Sequence, residues 1–263
     1  NCKDLGLKYI SVIYDNPYML LYSYTLINPN NYVFIFDKQE YLKLKKGGIP
    51  TVYHCTLPAH IFSVNHLIHN NPDSAKLSAD VSFVGSLFDR LKNLNSYTTG
   101  YLDGIMEAQL KIQGYNFIEE VLTPDIIKEL TQACPYTSDG SGAETLEYVY
   151  ANYFIDRKLT AIERSRLLTS AAAHCSLRIY TLDQKAVIPH AANLGPIDYY
   201  QEMPFVFANS KINLNITLRS IQSGIPLRAM DIMGAGGFLL TNFQEDFLDD
   251  FIAAYKELIA LCN

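Results

Sequence analysis

The segment from Lys211 to Asn242 constrains the fold most strongly, because it combines two strand patterns with a helix and a glycine-rich stop. Its sequence is KINLNITLRSIQSGIPLRAMDIMGAGGFLLTN. Polar and apolar residues alternate from Lys211 to Ile216, which predicts a strand with one face packed more tightly. A polar loop follows, then a helix with Pro226 in its first turn, the glycines and a short apolar strand over 238–241. This order predicts one unit of an α/β sheet.

The polar residues of this segment collect at the carboxyl end of its first strand, where open α/β sheets bind ligands. A helix N-terminus at that edge offers N–H groups and a positive dipole end to an anion. Arg219 and Arg228 can each bind phosphate oxygens through two N–H groups. We therefore predict a pocket for a phosphorylated ligand. The residues assigned to this pocket are Asn215, Thr217, Arg219, Ser220, Gly224, Arg228 and Asp231.

A simpler interpretation of the same residues remains open. Arg228 and Asp231 are three residues apart and share a helix face, so they can form a surface ion pair with no ligand. In that case the glycines only make turns.

The rest of the chain alternates strand and helix patterns, which predicts an α/β protein with parallel sheets. Strands are predicted at 8–14, 32–36 and 51–54, and a helix over 39–46 lies between the last two and ends at Gly47 and Gly48. The segment 6–15 is predicted to be a buried strand. Strands at 81–84, 177–182 and 186–188 belong to a second sheet, after a linker over 63–78.

Residues 97–175 are predicted to be mostly helical, with a break at 135–142. Thr123 is expected to begin one helix, because Pro124 suits a first helical turn. Thr160 and Glu163 match a capping box, which predicts a helix N-terminus at Thr160.

Two parts of the sequence resemble a known family. SGIPLRAMDIMGAGGFLLTNFQED resembles the signature of CgeB-like glycosyltransferases of the spore-maturation-protein type, in the group-1 glycosyltransferase clan. YISVIYDNPY, LYSYTLINPNNYVFIFDK and DVSFVGS resemble the domain that precedes it in such proteins. The resemblance extends from about Leu7 to Asp246 and implies a GT-B-like fold. In that fold two Rossmann-like domains face each other across a cleft, and the second binds most of a nucleotide-sugar donor without a metal.

The resemblance implies roles for individual residues. Asp231 stands where a helix carboxylate of the clan binds the donor ribose. Gly85 and Ser86 follow the first strand of the second domain, where the clan often has glycine and then a diphosphate-binding arginine. The clan often has a second acid eight residues before Asp231, and Ser223 stands there instead. We therefore expect Arg219 and Arg228 to neutralise the phosphate charge, with Arg228 also acting in catalysis.

Asp15 is a second catalytic candidate, because it ends a predicted strand directly before Asn16 and Pro17. In a two-domain transferase this edge faces the cleft, so Asp15 can accept a proton from an acceptor hydroxyl as a general base. The alternative is that Asp15 only caps the turn through an Asx hydrogen bond.

Composition excludes several other classes of protein. A net charge of −6 argues against nonspecific nucleic-acid binding. No run approaches the roughly 18 apolar residues of a membrane span, and the first residues do not resemble a signal peptide. Five scattered cysteines fit reduced thiols in the cytoplasm better than a disulfide framework. His66 and His69 lack an acidic or cysteine cluster at ligand spacing, so we predict no metal site and no cofactor.

These observations favour a glycosyltransferase that moves a sugar from a nucleotide-sugar donor to an unidentified acceptor. Residues 1–79 are expected to be the acceptor-side domain, apparently incomplete, and 80–263 the donor-side domain with a helical insertion at about 97–175. The chain is interpreted as a fragment, or as one from which flexible segments are left out. Two other functions remain open, namely a sugar-nucleotide epimerase and a noncatalytic nucleotide-sugar-binding protein.

Overall fold

The structure, a computed structural model, describes residues 2–59, 76–87 and 100–250. They form two parallel β-sheets with surrounding helices, which confirms the predicted α/β class. The strands are β1 (Tyr9–Ile13), β2 (Asn31–Ile35), β3 (Val52–His54), β4 (Val81–Val84), β5 (Leu177–Tyr180), β6 (Ala192–Asn193), β7 (Ile212–Asn215) and β8 (Leu239–Thr241). The α-helices are α1 (Lys38–Lys46), α2 (Gly100–Leu110), α3 (Ile118–Val121), α4 (Pro124–Ala133), α5 (Leu146–Val149), α6 (Asp156–His174), α7 (Met203–Asn209) and α8 (Leu227–Gly234).

The first sheet has the order β1-β2-β3, and all its strands are parallel. Helix α1 connects β2 to β3 and packs Leu44 against Val33 and Val52 in the core of this sheet. The predicted burial of the first strand is wrong. β1 pairs with β2 at the edge of the sheet, and 67% of Ile10 and 45% of Val12 are exposed. An apolar run favours a strand, but the number of neighbouring elements decides how far it is buried.

The second sheet has the order β6-β5-β4-β7-β8, again with all strands parallel. Its first strand, β4, lies in the centre, with Val81 opposite Leu177 of β5 on one side and Ile212 of β7 on the other. The chain builds outwards through β5 and β6, then crosses to the other side of β4 for β7 and β8. This is the strand order of Rossmann-like sheets, whose direction changes beside the first strand.

Helices cover both faces of the second sheet, which gives it three layers. On one face, Leu168 and Ala172 of α6 pack against Val81 and Phe83. On the other face, Phe207 of α7 and Ile232 of α8 join the core. Another hydrophobic core, away from both sheets, lies among α2, α3, α4 and the residues before α6. No helix in the described part of the chain is long and apolar enough to cross a membrane.

The helical region agrees with the prediction over the described residues from 100 to 174, but the capping box is wrong. Thr160 lies inside α6, and its hydroxyl donates to the carbonyl of Asp156 at 2.7 Å. A π-helical turn, Tyr150–Ile155, runs directly into α6, so the helix does not start at Thr160. The predicted strand over 186–188 is also wrong, because the edge strand β6 forms at Ala192–Asn193.

The first sheet lies within residues 9–54 and the second within 81–241, on either side of the predicted boundary at 79/80. The division into two domains at that boundary stays a prediction. Most of the predicted linker over 63–78 lies outside the described residues.

Candidate functional site

Several residues assigned to the predicted pocket lie at the carboxyl edge of the second sheet, between β4 and β7. This is where the sheet changes direction, and ligands of open α/β sheets bind at such a point. Gly85 and Ser86 follow β4, and Ile216 and Thr217 follow β7. The structure therefore brings together two segments that the sequence analysis assigned to the donor.

Arg164 of α6 connects the two segments that follow β4 and β7 at this edge. Its Nη1 donates to the Ser86 carbonyl at 2.5 Å, while Nε and Nη2 donate to the Ile216 carbonyl at 3.0 and 2.6 Å. The guanidinium lies 5.6 Å from the ring centre of Phe83. Burial lowers the pKa of Arg164 to about 10, so the group stays charged at neutral pH. Sequence reasoning missed Arg164, because no local motif connects a residue of α6 with β4 and β7.

Arg228, in the first turn of α8, is the second arginine of the predicted site that the structure describes with its contacts. Its Nη1 lies 3.5 Å from Oδ2 of Asp231, and it also contacts Met203 Sδ. The rings of Tyr199 and Phe207 lie 5.9 and 5.7 Å from its central carbon. Burial lowers the pKa of Arg228, and the negative charge of Asp231 opposes this shift. The Asp231 side chain is 8% exposed and the Arg228 side chain is 27% exposed, so the ion pair is partly buried.

Besides burial, the charge of Glu163 raises the pKa of Arg164 and the charge of Arg228 lowers it to a smaller extent. The carboxylates of Glu163 and Asp231 therefore offset part of the positive charge of the two guanidinium groups. An anion that binds near both groups reduces their mutual repulsion.

Tyr199 holds the carboxylate of Asp231 in place. Its hydroxyl lies 3.0 Å from both Oδ1 and Oδ2. Burial and the neighbouring Asp231 raise the pKa of Tyr199 to about 12, so the hydroxyl keeps its proton and donates it to the carboxylate. Tyr199 was also missed, since it lies in a loop before α7 that no strand or helix pattern marked.

Two predicted pocket residues are buried in a polar network with the end of β8. The amide of Asn215 donates to the hydroxyls of Thr217 and Thr241, and the Thr217 N–H donates to the Asn242 side chain. These hydrogen bonds fix the loop after β7 relative to β8. They support a structural role for Asn215 and Thr217 at the carboxyl edge of the sheet.

Ser220 and Gly224 meet the first sheet. The Ser220 hydroxyl donates to the carbonyl of Asn16 at 3.2 Å. A Cβ atom at Gly224 would lie 2.7 Å from the Phe36 ring and 2.8 Å from the Asp37 backbone. The loop after β7 thus touches the residues that follow β1 and β2, and the carboxyl edges of the two sheets meet there.

Arg219 is engaged in a buried ion pair. Its Nε and Nη2 donate to the two carboxylate oxygens of Glu163 at 2.8 and 2.6 Å, and Nη1 donates to the Ile112 carbonyl. Arg219 is 7% exposed. This arrangement anchors the loop after β7 on α6, and it favours a structural role for Arg219 over the predicted phosphate contact.

Asp15 is exposed and follows β1 at the edge that faces the second sheet. The next residue is Asn16, whose carbonyl accepts the hydrogen bond from the Ser220 hydroxyl. Asp15 thus lies near the meeting point of the two edges, and its role as a general base stays a prediction.

His66 and His69 lie outside the described residues. Within the described ranges no group of three or more His, Cys, Asp or Glu side chains could hold a metal ion. Comparison of the chain with protein-family models, curated proteins and solved structures finds no match. The geometry of the site and the sequence resemblance are therefore the basis for a functional proposal.

Proposed function

We propose that this protein is a glycosyltransferase of GT-B-like fold that moves a sugar from a nucleotide-sugar donor to an acceptor. The observation that carries the proposal is the position of two guanidinium groups beside the direction change of the second sheet. Arg164 bonds to the carbonyls of Ser86 and Ile216, and Arg228 lies in the first turn of α8. Guanidinium groups bind phosphate oxygens with strong, charge-assisted hydrogen bonds. The resemblance of 223–246 to a glycosyltransferase signature favours a sugar nucleotide over other phosphorylated ligands.

Each residue then has a chemical task. Arg164 and Arg228 stabilise the negative charge that grows on the nucleoside diphosphate as the sugar leaves, an electrostatic effect that is large in a site with low water content. Asp231, fixed by Tyr199, accepts a hydrogen bond from a ribose hydroxyl with its remaining lone pairs. The acceptor approaches from the carboxyl edge of the first sheet, where Asp15 removes the proton from its hydroxyl.

Nucleotide binding tests the donor site first. We expect one of UDP, GDP, ADP or dTDP to bind in calorimetric titrations, and Arg228→Gln to weaken that binding by about tenfold or more. Arg164→Gln should weaken it as well. The matched control is Arg166→Gln, because Arg166 lies on the same helix, is exposed and pairs with Glu107. The control should bind like the parent protein, and circular dichroism checks that each variant is folded.

Turnover then distinguishes the three functions. Transfer of the sugar to a member of an acceptor panel supports the proposal. A new sugar nucleotide formed without any acceptor indicates an epimerase, and tight donor binding without any turnover indicates a noncatalytic binding protein. If no nucleotide binds, or if Arg228→Gln and Arg166→Gln bind equally well, the proposed donor site is wrong.

A further inference from the structure

A cavity of about 420 Å³ lies beside the contact between the two sheets. Lys43 of α1 forms one wall, Asn116 and Glu119 form a second, and Gln222 of the loop after β7 closes a third. Asp156, the first residue of α6, completes it. The volume lies in the range of pockets that bind small molecules. The resemblance and the proposed donor site assign no role to this cavity.

Asp156 has an unsatisfied acceptor at this cavity. The residue is fully buried, and its Oδ2 accepts a hydrogen bond from the Asn116 amide at 2.7 Å. Its Oδ1 has no hydrogen-bond partner among the described residues. Buried carboxylate oxygens in folded proteins are normally hydrogen-bonded, so an unpartnered one indicates a missing donor.

The backbone before Asp156 supports the same interpretation. The π-helical turn Tyr150–Ile155 leads directly into this residue and places Asn152 on the cavity wall. π-Helical turns inside α-helices are rare and occur frequently at functional sites, because they displace side chains from the regular helix face.

The charges on the wall define the chemistry of the missing donor. Four carboxylates line the cavity, and one cation, Lys43, already pairs with Glu119 at 2.9 Å. The side chain of Glu147 makes no hydrogen bond or ion pair among the described residues. An anion is therefore disfavoured. No grouping of described carboxylates is suitable for a metal ion, which favours a larger cation that reaches several separate acceptors.

We propose that this cavity binds a small organic cation with a protonated amine, and that Oδ1 of Asp156 accepts a hydrogen bond from that amine. Glu147, which also lines the cavity, adds a second, longer-range attraction. The amides of Asn152 and Gln222 suit hydroxyl or further amine groups of the same ligand. This binding does not require the chain to be a glycosyltransferase, and nucleotides play no part in it.

Binding should depend on pH in a defined direction. Burial is the main cause that raises the pKa of Asp156 to about 7. The hydrogen bond from Asn116 and the charge of Arg219 oppose this shift, and the charge of Glu119 adds to it. An ammonium group prefers the ionised carboxylate, so affinity should rise as the pH increases through about 7. Above the pKa of the amine the affinity should fall again.

The test uses spermidine and glucosamine as probes, with glucose and N-acetylglucosamine as uncharged controls, in NMR and calorimetric titrations of the whole chain. We expect an amine to bind at least about tenfold more tightly than the uncharged sugars. Asp156→Asn should weaken amine binding by about tenfold and remove its rise through neutral pH. Glu147→Gln should weaken it less. Asp125→Asn, the same exchange at an exposed position of α4, should change nothing.

Three results would overturn the proposal. They are the absence of amine binding, equal binding of glucose and glucosamine, and unchanged amine affinity in folded Asp156→Asn. If Asp156→Asn does not fold, Glu147→Gln decides, because it should still lower the affinity for amines and leave binding of uncharged sugars unaffected.

Discussion

The carboxylate of Asp37 accepts a hydrogen bond from the backbone N–H of Gln222 at 2.6 Å, which joins the end of β2 to the loop after β7. The same carboxylate accepts the N–H and the hydroxyl of Ser223. It also caps α1 by accepting the N–H groups of Gln39 and Glu40. One buried side chain therefore fixes the start of a helix on the first sheet and the position of a loop on the second.

Asp37→Ser tests the connection between the sheets separately from helix capping. Serine is also a favourable N-cap, but its side chain is too short to reach Gln222 while it caps α1. The part-buried N–H of Gln222 and the buried N–H of Ser223 then lose their acceptor, so we expect the free energy of unfolding to fall by about 2 kcal/mol. Urea denaturation measures this loss. Thr145→Ser at the N-cap of α5 is the matched control and should have little effect; equal losses in both variants would contradict the role of Asp37.

Gly224 tests how closely the two sheets approach. A methyl group at this position would overlap the Phe36 ring and the Asp37 backbone, at 2.7 and 2.8 Å. We expect Gly224→Ala to lower the free energy of unfolding by about 1–3 kcal/mol, because the loop must move away from β2.

Gly104→Ala provides the control for Gly224→Ala. Gly104 lies in α2, and a Cβ atom there would meet nothing within 4 Å. Because alanine favours helices, this exchange should stabilise the protein by about 0.5–1 kcal/mol. A neutral or stabilising Gly224→Ala would show that the sheets do not pack as described.

Much of the second sheet could be predicted from local sequence. The strand at 81–84, the helix after Pro226 and the strand after Gly237 form where alternation and turn residues indicate them. Asp15 was also predicted at the end of a strand. The contact between Asp37 and Gln222 could not be predicted, since Gln222 lies 185 residues further along the chain and donates only a backbone N–H.

The capping-box error shows why local motifs are ambiguous. Thr160 and Glu163 have the spacing of an N-cap pair, but the same spacing occurs inside amphipathic helices. Glu163 points instead to Arg219, a contact over 56 residues that no local pattern encodes. The cavity could not be predicted from local motifs either, because its walls come from four separate segments of the chain.

Glu163→Gln tests whether Arg219 has a structural role. The exchange preserves the shape of the side chain but removes the charge that pairs directly with the buried Arg219. Loss of one partner of a buried ion pair costs about 3–5 kcal/mol, so we expect a large drop in the urea midpoint. Glu107→Gln breaks the exposed pair with Arg166 and should leave the midpoint nearly unchanged. Similar midpoints for both variants would mean that Arg219 does not depend on Glu163, and would favour its predicted role in binding phosphate.

Asp156 should make the free energy of unfolding depend on pH, and the substitution Asp156→Asn should remove this dependence. Its pKa is about 7 in the folded chain and near the ordinary value of 3.8 in the unfolded chain. The folded state therefore binds more protons than the unfolded state between these values, so the contribution of Asp156 to stability is complete below pH 3.8 and is lost as the pH rises through 7.

Asp156→Asn carries a neutral side chain at every pH, so its stability should not show this loss. Relative to the parent protein, the variant should gain about 2–3 kcal/mol between pH 5 and pH 8, as measured by urea denaturation in both buffers. Glu40, whose pKa burial also raises to about 7, titrates equally in both proteins and cancels from the difference. Asp125→Asn should show a constant difference across the same range. A gain that does not grow with pH would mean that Asp156 is already ionised when folded, and the amine proposed for the cavity would then bind without a rise in affinity through neutral pH.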